Sequence, residues 1–311
     1  MVLVIAFGVI MWIGGLTSKA NGGSIGLYTS TELGSEQSYR ELKQVKMAGF
    51  DSVIAYGSMN GRTTAAIRQY FDAAQKMGIG VVFSIKDVLG ATDTDPANQA
   101  HHRLLFGVGQ DQSTDAQVAT IAVQLLDHPA VKSVLISDER PRGPEDLEQW
   151  LPRLEKRYDQ ISKIKPTTIV LSWSPDSLDF YKAVRRYAHN LQINYYPFPE
   201  GHLLPVDAIS EIGDVLWRTA GSNGCFVLQA FGWDPRVHSE GIKLGFNKKS
   251  PPPSTGQMVE SARLAVEANG HGGATNLAFY AAGDPNAASF NSMKEAIKQI
   301  RRASWWRDRG N

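Results

Sequence analysis

From residue 24 onward, short runs rich in β-branched and aromatic residues alternate with longer segments of helical period. Eight such runs occur: Ser24 to Thr29, Ser52 to Tyr56, Gly80 to Ile85, Val131 to Ile136, Thr167 to Trp173, Leu191 to Tyr195, Cys225 to Ala230 and Thr275 to Tyr280. Strand runs separated by helical segments are the signature of repeated βα units and a parallel sheet. Eight units predict a closed (β/α)8 TIM barrel, an α/β fold formed as a single domain over residues 24–311.

The helical segments carry readable ends. Ser35 to Met47 stops before Gly49, Arg62 to Met77 stops before Gly78, and Gln257 to Asn269 stops before Gly270. Pro251-Pro252-Pro253 fixes the entry to the last of these, and Ser254 with Gln257 three residues on fits a capping box. Pro144 with Glu145 and Asp146 places a proline and two acids in the first turn of the fourth helix, where the dipole favours them. A doubly wound sheet would offer a glycine-rich phosphate loop after its first strand, whereas this chain reads Tyr28-Thr29-Ser30-Thr31 there. Two connections that follow strands are long, Lys86 to Asp115 and Trp233 to Ser254. In a barrel they lie on the catalytic face and argue for a built-up cleft on that side.

Composition narrows the function. With 32 basic against 31 acidic side chains the chain offers nothing to a polyelectrolyte, so nucleic acid is excluded as a partner. The single cysteine, Cys225, allows no internal disulfide, and no Cys/His cluster has metal-ligand spacing, so neither metal nor cofactor is expected. Val2 to Leu16 is an uncharged run followed by Thr17-Ser18-Lys19-Ala20, resembling the apolar region and small-residue cleavage site of a signal peptide. Residues 1–20 are therefore read as a signal peptide or an N-terminal anchor, with a terminal element of the fold as the alternative, and the location as secreted or periplasmic, with membrane anchoring as a variant. Fifteen residues are short for a span that needs about 20.

Side chains closing the strands of a barrel face its site. Strand one ends at Tyr28, strand two at Tyr56, strand three at Lys86-Asp87 and strand four at Asp138-Glu139-Arg140. Strand five ends at Trp173, strand six at Asn194-Tyr195-Tyr196, strand seven at Gln229 and Trp233, and strand eight at Tyr280 and Asp284. Aromatic faces beside carboxylates and amides suit a sugar, whose ring presents apolar C–H faces and hydroxyls. Acids at the end of a buried strand need a partner or a task, which makes Asp138-Glu139 the strongest candidate pair. Neighbours on a strand point to opposite sides, so both can face the mouth only if the backbone has turned, as Arg140-Pro141-Arg142-Gly143 suggests. The bland alternative is a solvated salt bridge from Glu139 to Arg140 or Arg142.

His128-Pro129-Ala130, followed by Asp138-Glu139-Arg140-Pro141, resembles a pattern running into and out of strand four in glycoside-hydrolase-like barrels. Asn194-Tyr195-Tyr196-Pro197 resembles their strand-six motif and Gln229-Ala230-Phe231-Gly232-Trp233 their strand-seven motif, so the likeness covers about residues 26–280. The resemblance implies a glycosidase with a carbohydrate substrate, in which Glu139 is the general acid. It departs from the pattern at Asn194, where Asp is frequent, and at Gln229, where retaining barrels carry a nucleophilic Glu.

Three mechanisms stay open. In an inverting enzyme Asp87 or Asp284 would activate water. In substrate-assisted hydrolysis of an N-acetyl sugar, Asp138 would orient the acetamido group while Tyr195 or Tyr196 held its oxygen. In a non-catalytic barrel the site would only bind glycans. A protonated Glu139 calls for burial against an aromatic wall or the field of Asp138, while Arg140 and Lys86 would suit an anionic substituent on the sugar. His101-His102-Arg103 reads as exposed loop, and Trp305-Trp306 as helix-end packing beneath the barrel.

Overall fold

A computed structural model gives the fold. It describes residues 23–55, 63–85, 121–175, 177–198, 206–233, 249–270, 272–281 and 287–308. The eight parallel strands are β1 (Ile25–Thr29), β2 (Ser52–Ala55), β3 (Gly80–Ser84), β4 (Val131–Asp138), β5 (Thr167–Ser172), β6 (Asn190–Asn194), β7 (Gly224–Gln229) and β8 (Asn276–Tyr280). They pair in sequence order and β8 returns to β1, closing the barrel that the run pattern predicts. The described helices are α1 (Glu36–Ala48), α2 (Thr64–Lys76), α3 (Leu147–Ile161), α4 (Leu178–Arg185), α5 (Ala208–Ala220), α6 (Thr255–Glu267), α7 (Phe290–Arg302) and the short α8 (Ser304–Arg307).

The expected helix ends form as the residues dictate. The Ser35 side chain accepts from Ser38 N–H at the start of α1, and Gly49 ends the helix at φ 92°, a left-handed conformation that costs glycine little. At α6 the capping box closes from both sides: Ser254 Oγ accepts from Gln257 N–H and the Gln257 side chain accepts from Ser254 N–H. Pro144 to Asp146 form a 3₁₀ turn, and the α-helix proper begins at Leu147.

Two cores follow from the alternation of side chains along each strand. Outward residues such as Leu27, Val53, Phe83, Leu171, Ile193, Phe226 and Phe279 pack with the helices into one large cluster. Inward residues form a smaller cluster of Tyr28, Ile54, Leu135, Val170, Cys225, Val227 and Ala278. The His128-Pro129-Ala130 motif belongs to the frame. Buried His128 accepts from Ala130 N–H at Nδ1, which leaves Nε2 to contact Asp72 Oδ1 at 3.1 Å and fixes the turn into β4. Trp306 is buried at the opposite end of the barrel from the strand C-termini, as the tail pattern predicts.

Candidate active site at the barrel mouth

One irregularity decides where the acidic pair points. β4 pairs with β5 as Leu135↔Thr168 but then Ser137↔Ile169 and Asp138↔Val170, so one residue is added on β4 between Leu135 and Ser137. Val170 belongs to the inner cluster and Ile169 to the outer one, and partners in register share a face. The bulge therefore moves Asp138 to the inner face, where regular alternation from Leu135 would have put Ser137. Strand β4 thus runs two residues beyond the hydrophobic run that marks it in the sequence.

The next residue turns the chain. Glu139 has φ 50°, left-handed for a residue with a side chain, a conformation that costs about 1–3 kcal/mol and concentrates at functional sites. Its N–H still donates to Val170 O (2.8 Å), and Ser137 Oγ donates to Arg140 O (2.7 Å), pinning the turn from both sides. The exposed Glu139 carboxylate accepts a 2.6 Å hydrogen bond from Asn194 Nδ2, at the end of β6. Asn194 is 6% exposed and inward-facing, so a rigid strand end holds the acid.

Placement differs from the sequence expectation in several ways. Glu139 does not pair with Arg140: that guanidinium meets Asp146 Oδ2 at 3.4 Å and lies 5.9 Å from the Trp150 ring centroid. Asp146 Oδ2 also accepts from the Arg142 backbone N–H (3.2 Å), which ties the turn after Glu139 to the start of α3. Nor is Glu139 buried against an aromatic wall, because its side chain faces solvent. Trp173 continues the outward face of β5 and stacks on Tyr181 of α4, with centroids 6.0 Å apart and planes at 10°. Tyr195 likewise packs outward, where burial and Glu211 of α5 raise its pKa.

Tyr196, the next residue, faces inward. Its ring lies 5.7 Å from Tyr280 and 5.0 Å from Phe231, while Tyr280 lies 5.3 Å from Tyr28 and Phe231 lies 5.7 Å from Trp233. These aromatics wall one side of the mouth. Tyr28 is only 2% exposed and donates to Gln192 Oε1 at 2.7 Å, which makes it floor rather than wall. Burial first, then the neighbouring Asp138 charge, pushes the Tyr28 phenol well above its ordinary pKa. Burial, followed by Tyr280, Glu139 and Asp138, does the same for Tyr196. Both phenols are O–H donors at any physiological pH. Counting faces from inward Asn194 assigns Tyr196 rather than Tyr195 to the mouth, a signal present in the sequence. The same count from inward Gln229 assigns Phe231, within the strand-seven motif, to the mouth.

Gln229 is 3% exposed, and both ends of its amide meet backbone: Nε2 donates to Phe231 O (2.8 Å) and Oε1 accepts from Phe198 N–H (3.1 Å). It joins the chain after β6 to the chain after β7. Trp233 ends that segment, its N–H donating to Ser250 Oγ (3.0 Å). Tyr56, Lys86, Asp87 and Asp284, with the His101-His102 pair and residues 1–20, lie outside the described residues. Among the described residues no group of three or more His, Cys, Asp or Glu could hold a metal, and no helix is long and apolar enough to cross a membrane.

No family model matches the chain, and no curated protein sequence matches it. Solved structures do. A class V chitinase from Pseudomonas fluorescens Pf-5 superposes with a TM-score of 0.55 at 12% identity, over 89% of this chain and 98% of that one. The spore cortex-lytic enzyme SleL of Bacillus megaterium QM B1551 gives 0.54 at 11%, over 91% and 74%. Saccharomyces cerevisiae Gas2p, solved with laminaritriose and laminaritetraose, gives 0.56 at 11%, over 89% and 64%. At such identities the likeness is one of fold: this chain is similar to these barrels in the path of its backbone.

Proposed function

We propose that this protein hydrolyses glycosidic bonds in a poly- or oligosaccharide, with Glu139 as the proton donor to the departing oxygen. One observation carries the reading: the left-handed turn after the β4 bulge presents the Glu139 carboxyl to the barrel mouth and Asn194 holds it at 2.6 Å. A strained acid held by an inward amide beside an aromatic wall is an arrangement for general acid–base work on a ring with an apolar face. The named activities of the chitinase and the cortex-lytic enzyme support the reading through shared fold alone.

Gln229 cannot act as a carboxylate nucleophile, so the second group comes from elsewhere. In the inverting form of the reading Asp87 or Asp284 activates water. The placement of Asp138 favours a second form, substrate-assisted cleavage of an N-acetyl sugar. Asp138 shares the inner face with Tyr196, whose phenol its charge reaches, so the two groups can hold the acetamido nitrogen and oxygen. Arg140, drawn to Asp146, gives an anionic substituent no support. The apolar run Val2–Leu16 supports a secreted or periplasmic location, checked by sequencing the N-terminus of the mature protein.

The deciding experiment measures reducing-end release from a panel of glycans with and without N-acetyl groups, using the parent chain and Glu139→Gln. Turnover by the parent that Glu139→Gln abolishes, with unchanged folding, supports the reading. Retention of turnover in that variant overturns the role of Glu139, and no turnover on any glycan leaves the binding-only alternative. Anomeric NMR of the first product separates inversion from the retention that substrate assistance requires.

A further inference from the structure

The C-terminal mouth is not the only opening into this barrel. A cavity of about 1420 Å3 enters from the opposite, N-terminal face, beside Trp306 and Arg301, and reaches inward to Ile54, Val82 and Gln192. Barrel lumens are ordinarily filled by bulky branched side chains. Here the inward positions nearest that face are small or polar, among them Ser52, Gly80, Ser133 and Asn190, and they leave the lumen open.

Its polar groups are only partly satisfied by protein. Asn190 Nδ2 donates to Thr168 Oγ1 (3.3 Å) and Thr168 Oγ1 donates to Ser133 Oγ (2.9 Å), a chain that ends with the Ser133 hydroxyl proton at the cavity wall. Gln192 is 5% exposed; its oxygen accepts from Tyr28, and its Nε2 meets no protein acceptor among the described residues. This amide donor opens onto the cavity and can meet an acceptor there. Charge is absent from the inner wall. At the rim Asp51 is held by Arg301 at 2.8 Å and Lys132 Nζ donates to Pro129 O at 2.8 Å, and Arg307 and Asp308 also line the opening, so the charges of this cavity sit at its rim and not on its inner wall. Ile54, Val82 and Ala278 supply apolar surface beside the donors.

We propose that the N-terminal half of the barrel is a second binding site, for a small neutral polyhydroxyl molecule, with Gln192 and Ser133 as its polar contacts. Hydroxyl-rich ligands offer acceptors to the amide and the serine proton at once, and their C–H faces suit the apolar wall. The site stands apart from the mouth and does not rest on the glycosidase reading.

Cys225 makes the test direct. It is the one cysteine of the chain, lines this cavity and sits beside Gln192 in the β6–β7 register. Its modification by methyl methanethiosulfonate, a small neutral reagent, would be timed with glucose, N-acetylglucosamine, inositol and glycerol as probes. A bound probe slows the reaction by the factor 1 + [L]/Kd, about sixfold at a concentration of about five Kd. Saturable protection by at least one probe is expected, lost in Gln192→Leu or, should that variant not fold, in Ser133→Ala. Protection should persist in Glu139→Gln, which separates this site from the mouth. Full-rate modification under every probe, meaning a lumen filled by solvent alone, would overturn the proposal. So would a Cys225 inert to the reagent with no saturation transfer from protein to any probe.

Discussion

Strands β4 and β7 both close on polar residues at the same face of the barrel, and they use them in opposite ways. β4 bulges, turns through a strained Glu139 and leaves a carboxyl in solvent with one amide to hold it. β7 runs straight, and its Gln229 is buried with both ends bonded to backbone. Two motifs that looked alike as strand-end chemistry thus separate into one that presents a carboxyl to solvent and one that fixes two connecting segments. Strain and exposure mark the first; complete hydrogen bonding marks the second.

The comparison can be broken by substitution. Glu139→Gln removes the proposed proton donor and should lower turnover by roughly a hundred- to ten-thousand-fold in the glycan assay; a smaller loss moves the acid to another strand. Asn194→Ala removes a hydrogen bond to the Glu139 carboxyl, worth about 0.5–1.5 kcal/mol, so turnover should fall roughly two- to tenfold with KM little changed. An effect on KM alone would make Asn194 a substrate contact instead. Gln229→Leu should act on stability: with Phe198 N–H and Phe231 C=O left without their partner, unfolding in urea should shift by about 1–3 kcal/mol. Loss of turnover without loss of stability would return Gln229 to the chemistry. The smallest change in stability is expected for Glu139→Gly, which relieves the left-handed strain and should stabilise the fold by up to about 1 kcal/mol. Glu139→Gln keeps that strain and should leave unfolding unchanged.

The chain's own pattern makes the barrel legible, because strand period, helical period and capping residues act over a few neighbours. Ser35, Gly49 and the Ser254–Gln257 box do locally what their types require. The site is legible in outline: Glu139 and Asn194 appear among the strand ends, and the structure brings them together. Faces are harder. Trp173 and Tyr195 end their strands as hydrophobic runs, but the odd–even count turns them toward α4 and α5, whereas Tyr196 turns to the mouth. Arg140 reads in the sequence as a sugar contact or a partner for Glu139, and is taken by Asp146 six residues on.

What the sequence by itself determined is the βα rhythm, the eight strands and the acidic pair at the end of the fourth. What only the tertiary structure decided is which of that pair faces inward and what holds the other. The reason is register. Asp138 points inward because β4 carries one more residue than β5 between two aligned positions, and a one-residue shift reverses every side chain beyond it. That count belongs to a pair of strands and cannot be read from either alone.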